Sequence, residues 1–124
     1  MGKINNCIWF HSEEGKVSKV LDYYKKIFDE NFQSGEPISL GDTPDGYSEM
    51  AYIQLYGTEY LFMTTSNEHH SLNDSFSIVV SCKNQIEIDK LWNYFTEEGE
   101  ESQCGWCSDK FGLRWQIIPE NFGE

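Results

Sequence analysis

Near the end of the chain, apolar positions recur at every second residue. In Leu113–Ile118, the side chains of Leu113, Trp115 and Ile117 share one parity, and Arg114, Gln116 and Ile118 share the other. That is the period of a strand with one buried face. Gln103–Ser108 precedes it, and Asp109-Lys110-Phe111-Gly112 joins the two runs as a hairpin in which Gly112 takes the positive φ. Pro119 has no N–H to give a ladder and ends the strand. This register predicts Leu113 and Trp115 packed under a helix, against Leu91 and Phe95, with Gln116 on the opposite face.

The same reading extends upstream. Ile4–Phe10 alternates, with Ile4, Ile8 and Phe10 on one side and Asn5, Cys7 and Trp9 on the other. Ser12 is placed as a helix N-cap with Glu13 and Glu14 in the first turn. Val17, Val20, Leu21, Tyr24, Ile27 and Phe28 then follow a 3.6-residue period, with Lys25 and Lys26 near the helix C-terminus. A Gly/Pro/Asp-rich stretch contains a short strand around Pro37–Leu40. Tyr47–Tyr56 alternates Ala51, Ile53 and Leu55 against Met50, Tyr52 and Gln54, and Glu59–Thr65 returns after a turn at Gly57-Thr58. Residues 66–74 read as a polar linker carrying His69 and His70, both expected in solvent. Phe76–Cys82 is the next strand. Asn84 caps a second helix with Glu87 three residues on, Ile88, Leu91, Trp92 and Phe95 form its stripe, and Gly99 is expected at C′.

The order strand, helix, several strands therefore occurs twice, at a spacing of roughly 70 residues. It predicts one α+β domain over residues 1–124, built of two βαβββ modules at about 3–66 and 75–119. Each module is a curved, mixed sheet with its helix on one face and the other face left free to form a cavity.

Composition narrows the function. The formal net charge is −12, which opposes nucleic acid and anionic membrane surfaces. The opening MGKINNCIWF reaches charge again at Glu13, too soon for a spanning helix, and a cytoplasmic location is expected. Four cysteines then read as free thiols.

Candidate chemistry is sparse. Cys104-Gly105-Trp106-Cys107 is a CxxC, but it lies in or beside a strand, where a separation of three points the side chains to opposite faces, and no second CxxC completes a zinc site. No nucleophile-elbow pattern accompanies any serine. Arg114 shares the Gln116 face and brings a planar cation to it, unless it pairs with an acid such as Asp109 or one across a dimer. Trp9, Tyr52 and Trp106 supply aromatic walls.

CIWF (Cys7–Phe10), LDYYKKIF (Leu21–Phe28), NDSFSIVVSC (Asn73–Cys82) and SQCGWCSDKFGLRWQIIP (Ser102–Pro119), with the repeated element order, resemble the vicinal oxygen chelate (VOC), or glyoxalase/bleomycin-resistance, superfamily. The resemblance is strongest to the PhnB-like branch, often labelled 3-demethylubiquinone-9 3-methyltransferase-like. It implies paired βαβββ modules and a homodimer. Methyl transfer on a Rossmann-type fold needs a glycine-rich strand-to-helix turn, and no G-x-G occurs in the chain. The superfamily's metal-ligand positions carry over to Asn5, Leu61 or Met63, Ser75 and Gln116, none of which suits Zn, Fe or Mn. The expectation is a protein that binds a small molecule in the sheet cavity with no metal or other cofactor. The candidate lining is Arg114, Gln116, Trp106, Cys104, Asn5, Cys7, Trp9, Tyr52, Ser75 and Ser77. A ligand with a carboxylate, phosphonate or carbonyl end would pair with Arg114. The alternative is a VOC-type enzyme using a non-standard metal site, or Cys104 with Arg114.

Overall fold

The computed structural model describes residues 2–123. The chain forms two compact units, one ending at His70 and the other beginning at Ser71, so the division falls inside the expected linker. No helix among the described residues is long and apolar enough to cross a membrane.

The first unit runs β1 (Asn6–His11), α1 (Ser18–Phe28), a 3-10 turn (Asp29–Asn31), β2 (Phe32–Ser34), β3 (Ile38–Thr43), β4 (Gly46–Leu55) and β5 (Thr58–Thr65). Its sheet has the order β1-β5-β4-β2, with β3 also on β4. The β1–β5 pair is parallel and the others are antiparallel. The parity of β4 is as expected, because Ala51, Ile53 and Leu55 are buried while Tyr52 and Gln54 are exposed. Phe10, Tyr24, Phe32 and Phe62 fill the layer beneath α1, with Phe10 and Phe62 edge to face at 4.9 Å.

Three details depart from the sequence reading. The first strand begins at Asn6, leaving Ile4 82% exposed instead of in the core. The three-residue β2 is too short to show a period, and only its pairing with Leu55, Gln54 and Ile53 makes it a strand. Ser12 does not cap α1. It is buried in the β1 exit, where its N–H donates to the Thr65 carbonyl, and the helix starts six residues later. The Val17 N–H there donates to Glu49 Oε1 of β4 (3.0 Å), whose other oxygen is held by the Tyr47 hydroxyl (2.7 Å). At the far end Lys25 behaves as expected, its Nζ donating to the Asp29 and Phe32 carbonyls.

The second unit runs β6 (Ser77–Cys82), α2 (Gln85–Glu98), β7 (Glu100–Glu101), β8 (Trp106–Ser108) and β9 (Arg114–Pro119), with sheet order β6-β9-β8-β7. Asn84 caps α2 by accepting from the Glu87 N–H at 2.9 Å, while the Glu87 carboxylate reaches back to the Lys83 N–H at 2.7 Å. Trp115 is 1% exposed and stacks on Phe95 at 4.6 Å, with Leu91 and Leu113 buried beside them, which is the predicted register. Gly99 serves a different purpose from the one expected. Its φ of −113° is open to any residue, but a Cβ there would strike the carbonyls of Ser108 and Phe95. Gly is needed for close approach, not for handedness.

Candidate functional site

Pairing registers define the face of each sheet turned away from its helix. In the first unit, Trp9 lies beside Met63, Met63 beside Met50 and Met50 beside Ile38, making one row across four strands. The next row is Cys7, Leu61 and Tyr52. Trp9, Leu61, Met63 and Met50 are half-buried; Cys7 and Tyr52 are exposed. The result is an aromatic and thioether wall.

Trp9 is held at both its polar and flat sides. Its Nε1 donates to Thr65 Oγ1 (2.8 Å), His69 stacks on it at 4.7 Å, and His70 meets it edge-on at 4.5 Å. His69 Nδ1 also lies 2.9 Å from Asp45 Oδ1. Both histidines are exposed, as expected, and each also sets one side of its ring against the indole. Asn5 precedes β1 and its buried Oδ1 has no hydrogen-bond partner among the described residues.

In the second unit the open face carries Ser77, Val79 and Ser81 of β6, Arg114, Gln116 and Ile118 of β9, and Trp106 and Ser108 of β8. Its polar groups are engaged with one another. Arg114 Nε donates to Asp74 Oδ1 (2.8 Å), and its Nη1 donates to the carbonyls of Leu72 (3.1 Å) and Gly112 (2.7 Å). The acid beside it is thus Asp74, not Asp109. Gln116 Nε2 donates to Ser77 Oγ (2.9 Å), and Ser75 bonds through its N–H and hydroxyl to Asn73 Oδ1. The hollow beside Trp106 and Arg114, about 140 Å³, is also lined by Asp74, Glu100 and Glu101, so its surroundings are acidic.

Asp109 is the residue that sequence reasoning missed. It is 2% exposed, and its carboxylate accepts from the N–H groups of Phe111 and Leu113 and from Trp115 Nε1 (2.8 Å). The signal was available, since an Asp opening a four-residue turn that ends in Gly is a side-chain-closed turn.

The CxxC splits. Cys104 and Gly105 form a two-residue turn with φ of 56° and 82°, closed by the Trp106 N–H on the Gln103 carbonyl. Cys104 is therefore exposed at a turn and not in a strand, while Cys107 is buried in β8. Burial, with the Asp109 carboxylate adding to it, pushes the Cys107 thiol up to about 12. A thiol so protonated at neutral pH is no redox nucleophile. Arg114 pairs with Ser108 at the far end of β8, whereas Cys104 lies in the turn before that strand begins. The Cys104–Arg114 pair weighed for an enzyme is not brought together.

The positions carried over from the superfamily's metal sites fit no divalent ion of the usual kind. Asn5 and Gln116 offer amides, Ser75 a hydroxyl already bonded, and Leu61 or Met63 nothing harder than a thioether. Among the described residues no three His, Cys, Asp or Glu side chains gather where they could hold a metal.

A family model described as 3-demethylubiquinone-9 3-methyltransferase matches residues 2–118. The chain belongs to that family. It is the PhnB-like branch of the VOC superfamily, with the α+β glyoxalase-type fold of βαβββ modules, the strand after α1 in the first being broken into β2 and β3, both paired with β4. No curated protein matches the chain. Among solved structures it is similar to the PhnB protein of Bacillus cereus, with a TM-score of 0.70 and 22% identity over 94% of this chain and 98% of that one. Protein PA1353 from Pseudomonas aeruginosa aligns with a TM-score of 0.60 and 14% identity over 95% and 98%. The fosfomycin resistance protein FosX of Listeria monocytogenes, solved with Mn(II) and 1S,2S-dihydroxypropylphosphonic acid, aligns with a TM-score of 0.63 and 12% identity over 98% and 95%. At these identities the structural neighbours establish the family's fold and nothing finer.

Proposed function

We propose that the protein holds a small molecule against the open face of its first sheet, without a divalent metal at the superfamily positions and without methyl transfer. The observation that carries this is the row Trp9, Met63, Met50 and Ile38, an apolar wall on the side of the sheet away from its helix. Such a wall gains free energy from a ligand that removes it from water, about 25 cal/mol per Å² of apolar area covered. Cys7 and Tyr52 extend it, and Thr65 and the two histidines fix the indole. The open face of the second sheet supports the reading by contrast, because Arg114, Gln116, Ser77 and Ser75 already have partners. Against methyl transfer stand the two strand-to-helix junctions, His11–Ser18 and Cys82–Gln85, neither of which is a glycine-rich phosphate turn.

On the same reading the protein is a cytoplasmic homodimer. β3 lies at a sheet edge with Ile38 and Leu40 exposed, and a second copy would cover that edge. Sedimentation at micromolar concentration checks the dimer, and a monomer refutes it.

The ligand-binding test has two arms. Elemental analysis of the purified chain should find no stoichiometric zinc, iron or manganese, and one equivalent of any of them overturns the metal-free reading. A thermal-shift screen should yield hits whose affinity falls by roughly tenfold in Trp9→Ala. Unchanged affinity in that variant removes the wall from the site.

A further inference from the structure

At one end of the first sheet, beyond the Trp9 wall, the pairing registers set Gln33, Gln54 and Glu59 side by side on three strands. Tyr52 stands two residues from Gln54 on the same face and is 51% exposed. With Gly35 and Lys3 these residues bound an open cleft of about 290 Å³, at the small end of the range for ligand pockets. The Gly35 N–H donates to the Tyr52 carbonyl, which ties the chain leaving β2 to the rim.

The charges in this cleft cancel. Lys3 Nζ lies 2.7 Å from Glu59 Oε2, so neither a free cation nor a free anion faces a ligand. What remains is two side-chain amides and a phenol ring. Among the described residues the side chains of Gln33 and Gln54 make no hydrogen bond, and the Tyr52 ring meets no other ring. Each amide presents a donor and an acceptor on one rigid plane, which matches a ligand whose groups both donate and accept. The exposed ring matches a ligand with an apolar face of C–H groups. An acid would need the cation that Glu59 already holds. A wholly apolar ligand would strip water from two amides and return nothing.

From this cleft we infer a second binding site, for a neutral polyhydroxylated ring such as a pyranose sugar. Tyr52 is the stacking platform, Gln33 and Gln54 bond the hydroxyls, and the Lys3–Glu59 pair offers further donors and an acceptor at the rim. The cleft is shallow and open, so the ligand keeps part of its hydration and binds in the millimolar range. The cleft meets the Trp9 wall at Tyr52, so the resonances of Gly35, Gln33 and Gln54 report the cleft and indole fluorescence reports Trp9. A negative result here leaves the first proposal standing.

The test is titration of the full, ¹⁵N-labelled chain with D-glucose, maltose and N-acetylglucosamine, followed by backbone and side-chain amide resonances. At least one sugar should shift Gly35, Tyr52 and Gln54 together with the side-chain amides of Gln33 and Gln54, saturating at roughly millimolar concentration. Tyr52→Ala should weaken that binding about fivefold or more, and Tyr52→Phe, which keeps the ring, should stay within about twofold. Gln54→Ala should weaken it roughly threefold. Tyr52 and Gln54 are exposed, so these variants should fold as the parent does. The inference is overturned if no sugar moves these resonances at about 100 mM, if sodium acetate or glycine moves them more than the sugars do, or if Tyr52→Ala binds as tightly as the parent.

Discussion

The two units solve the same problem, a sheet with one face against a helix, and leave opposite surfaces on the other side. In the second unit that surface is polar, and the chain itself engages its groups: Arg114 with Asp74 and two carbonyls, Gln116 with Ser77. In the first unit it is aromatic and thioether-rich, with Tyr52 and Cys7 left exposed. The difference is the reason the proposed ligand is placed on the first sheet. A polar side chain beside a sheet finds neighbours because an unmet donor is expensive. An apolar wall makes no such demand, and among the described residues here only Trp9 at its end is covered, by His69 and His70.

The sharpest way to break this comparison is to damage the underside of the second unit and watch the first. Trp115→Ala removes the ring stacked on Phe95 and a bond to buried Asp109, and should lower stability by about 3–5 kcal/mol in urea unfolding. The affinity of a thermal-shift hit measured on the folded fraction should not change, and a parallel loss would mean that the wall is not confined to the first unit.

The next effect comes from pH. The Cys107 thiol is raised from its ordinary 9.0 to about 12, so the folded chain holds that proton more tightly than the unfolded chain does. The stability contribution is complete below about pH 9 and is lost as pH climbs toward 12, on the order of 4 kcal/mol in all. Cys107→Ala should flatten the alkaline limb of a stability-against-pH curve. An identical limb in the variant would assign the loss to other groups.

The smallest effect sharpens the comparison most. Arg114 is 27% exposed and its pair with Asp74 lies at the surface, so Arg114→Ala should lower stability by no more than about 1 kcal/mol. It should also leave the affinity of a hit within about twofold, where Trp9→Ala reduces it roughly tenfold. A reversed ranking would move the site to the second unit's open face.

Much of this architecture was legible in the residues. The β9 alternation predicted Trp115 under α2, Gly112 has the expected positive φ of 86°, and Asn84 with Glu87 marked the α2 start. Each is a signal carried by neighbours in sequence. What the sequence hid depends on partners far along the chain. β2 exists because Leu55 and Gln54 are beside it, and Ser12 is drawn into the β1 exit while α1 starts without a side-chain cap. His69 and His70 are exposed as the sequence suggests, but only the fold shows that they lie against Trp9. The candidate site was half legible for the same reason. Parity put Arg114 and Gln116 on the open face, but parity cannot show that Asp74 and Ser77 already hold them.

The two helix starts carry a consequence for how the chain acquires its structure. α2 closes its first turn with Asn84, three residues from the N–H it accepts, so the nucleus can assemble from a local segment. At α1 the Val17 N–H donates to Glu49, 32 residues away on β4, whose other carboxylate oxygen accepts from the Tyr47 hydroxyl. A contact of that span closes a long loop before it contributes, whereas the Asn84 contact closes three residues. One helix start is fastened from within its own segment and the other from a distant strand, although both take the same place in the repeated element order.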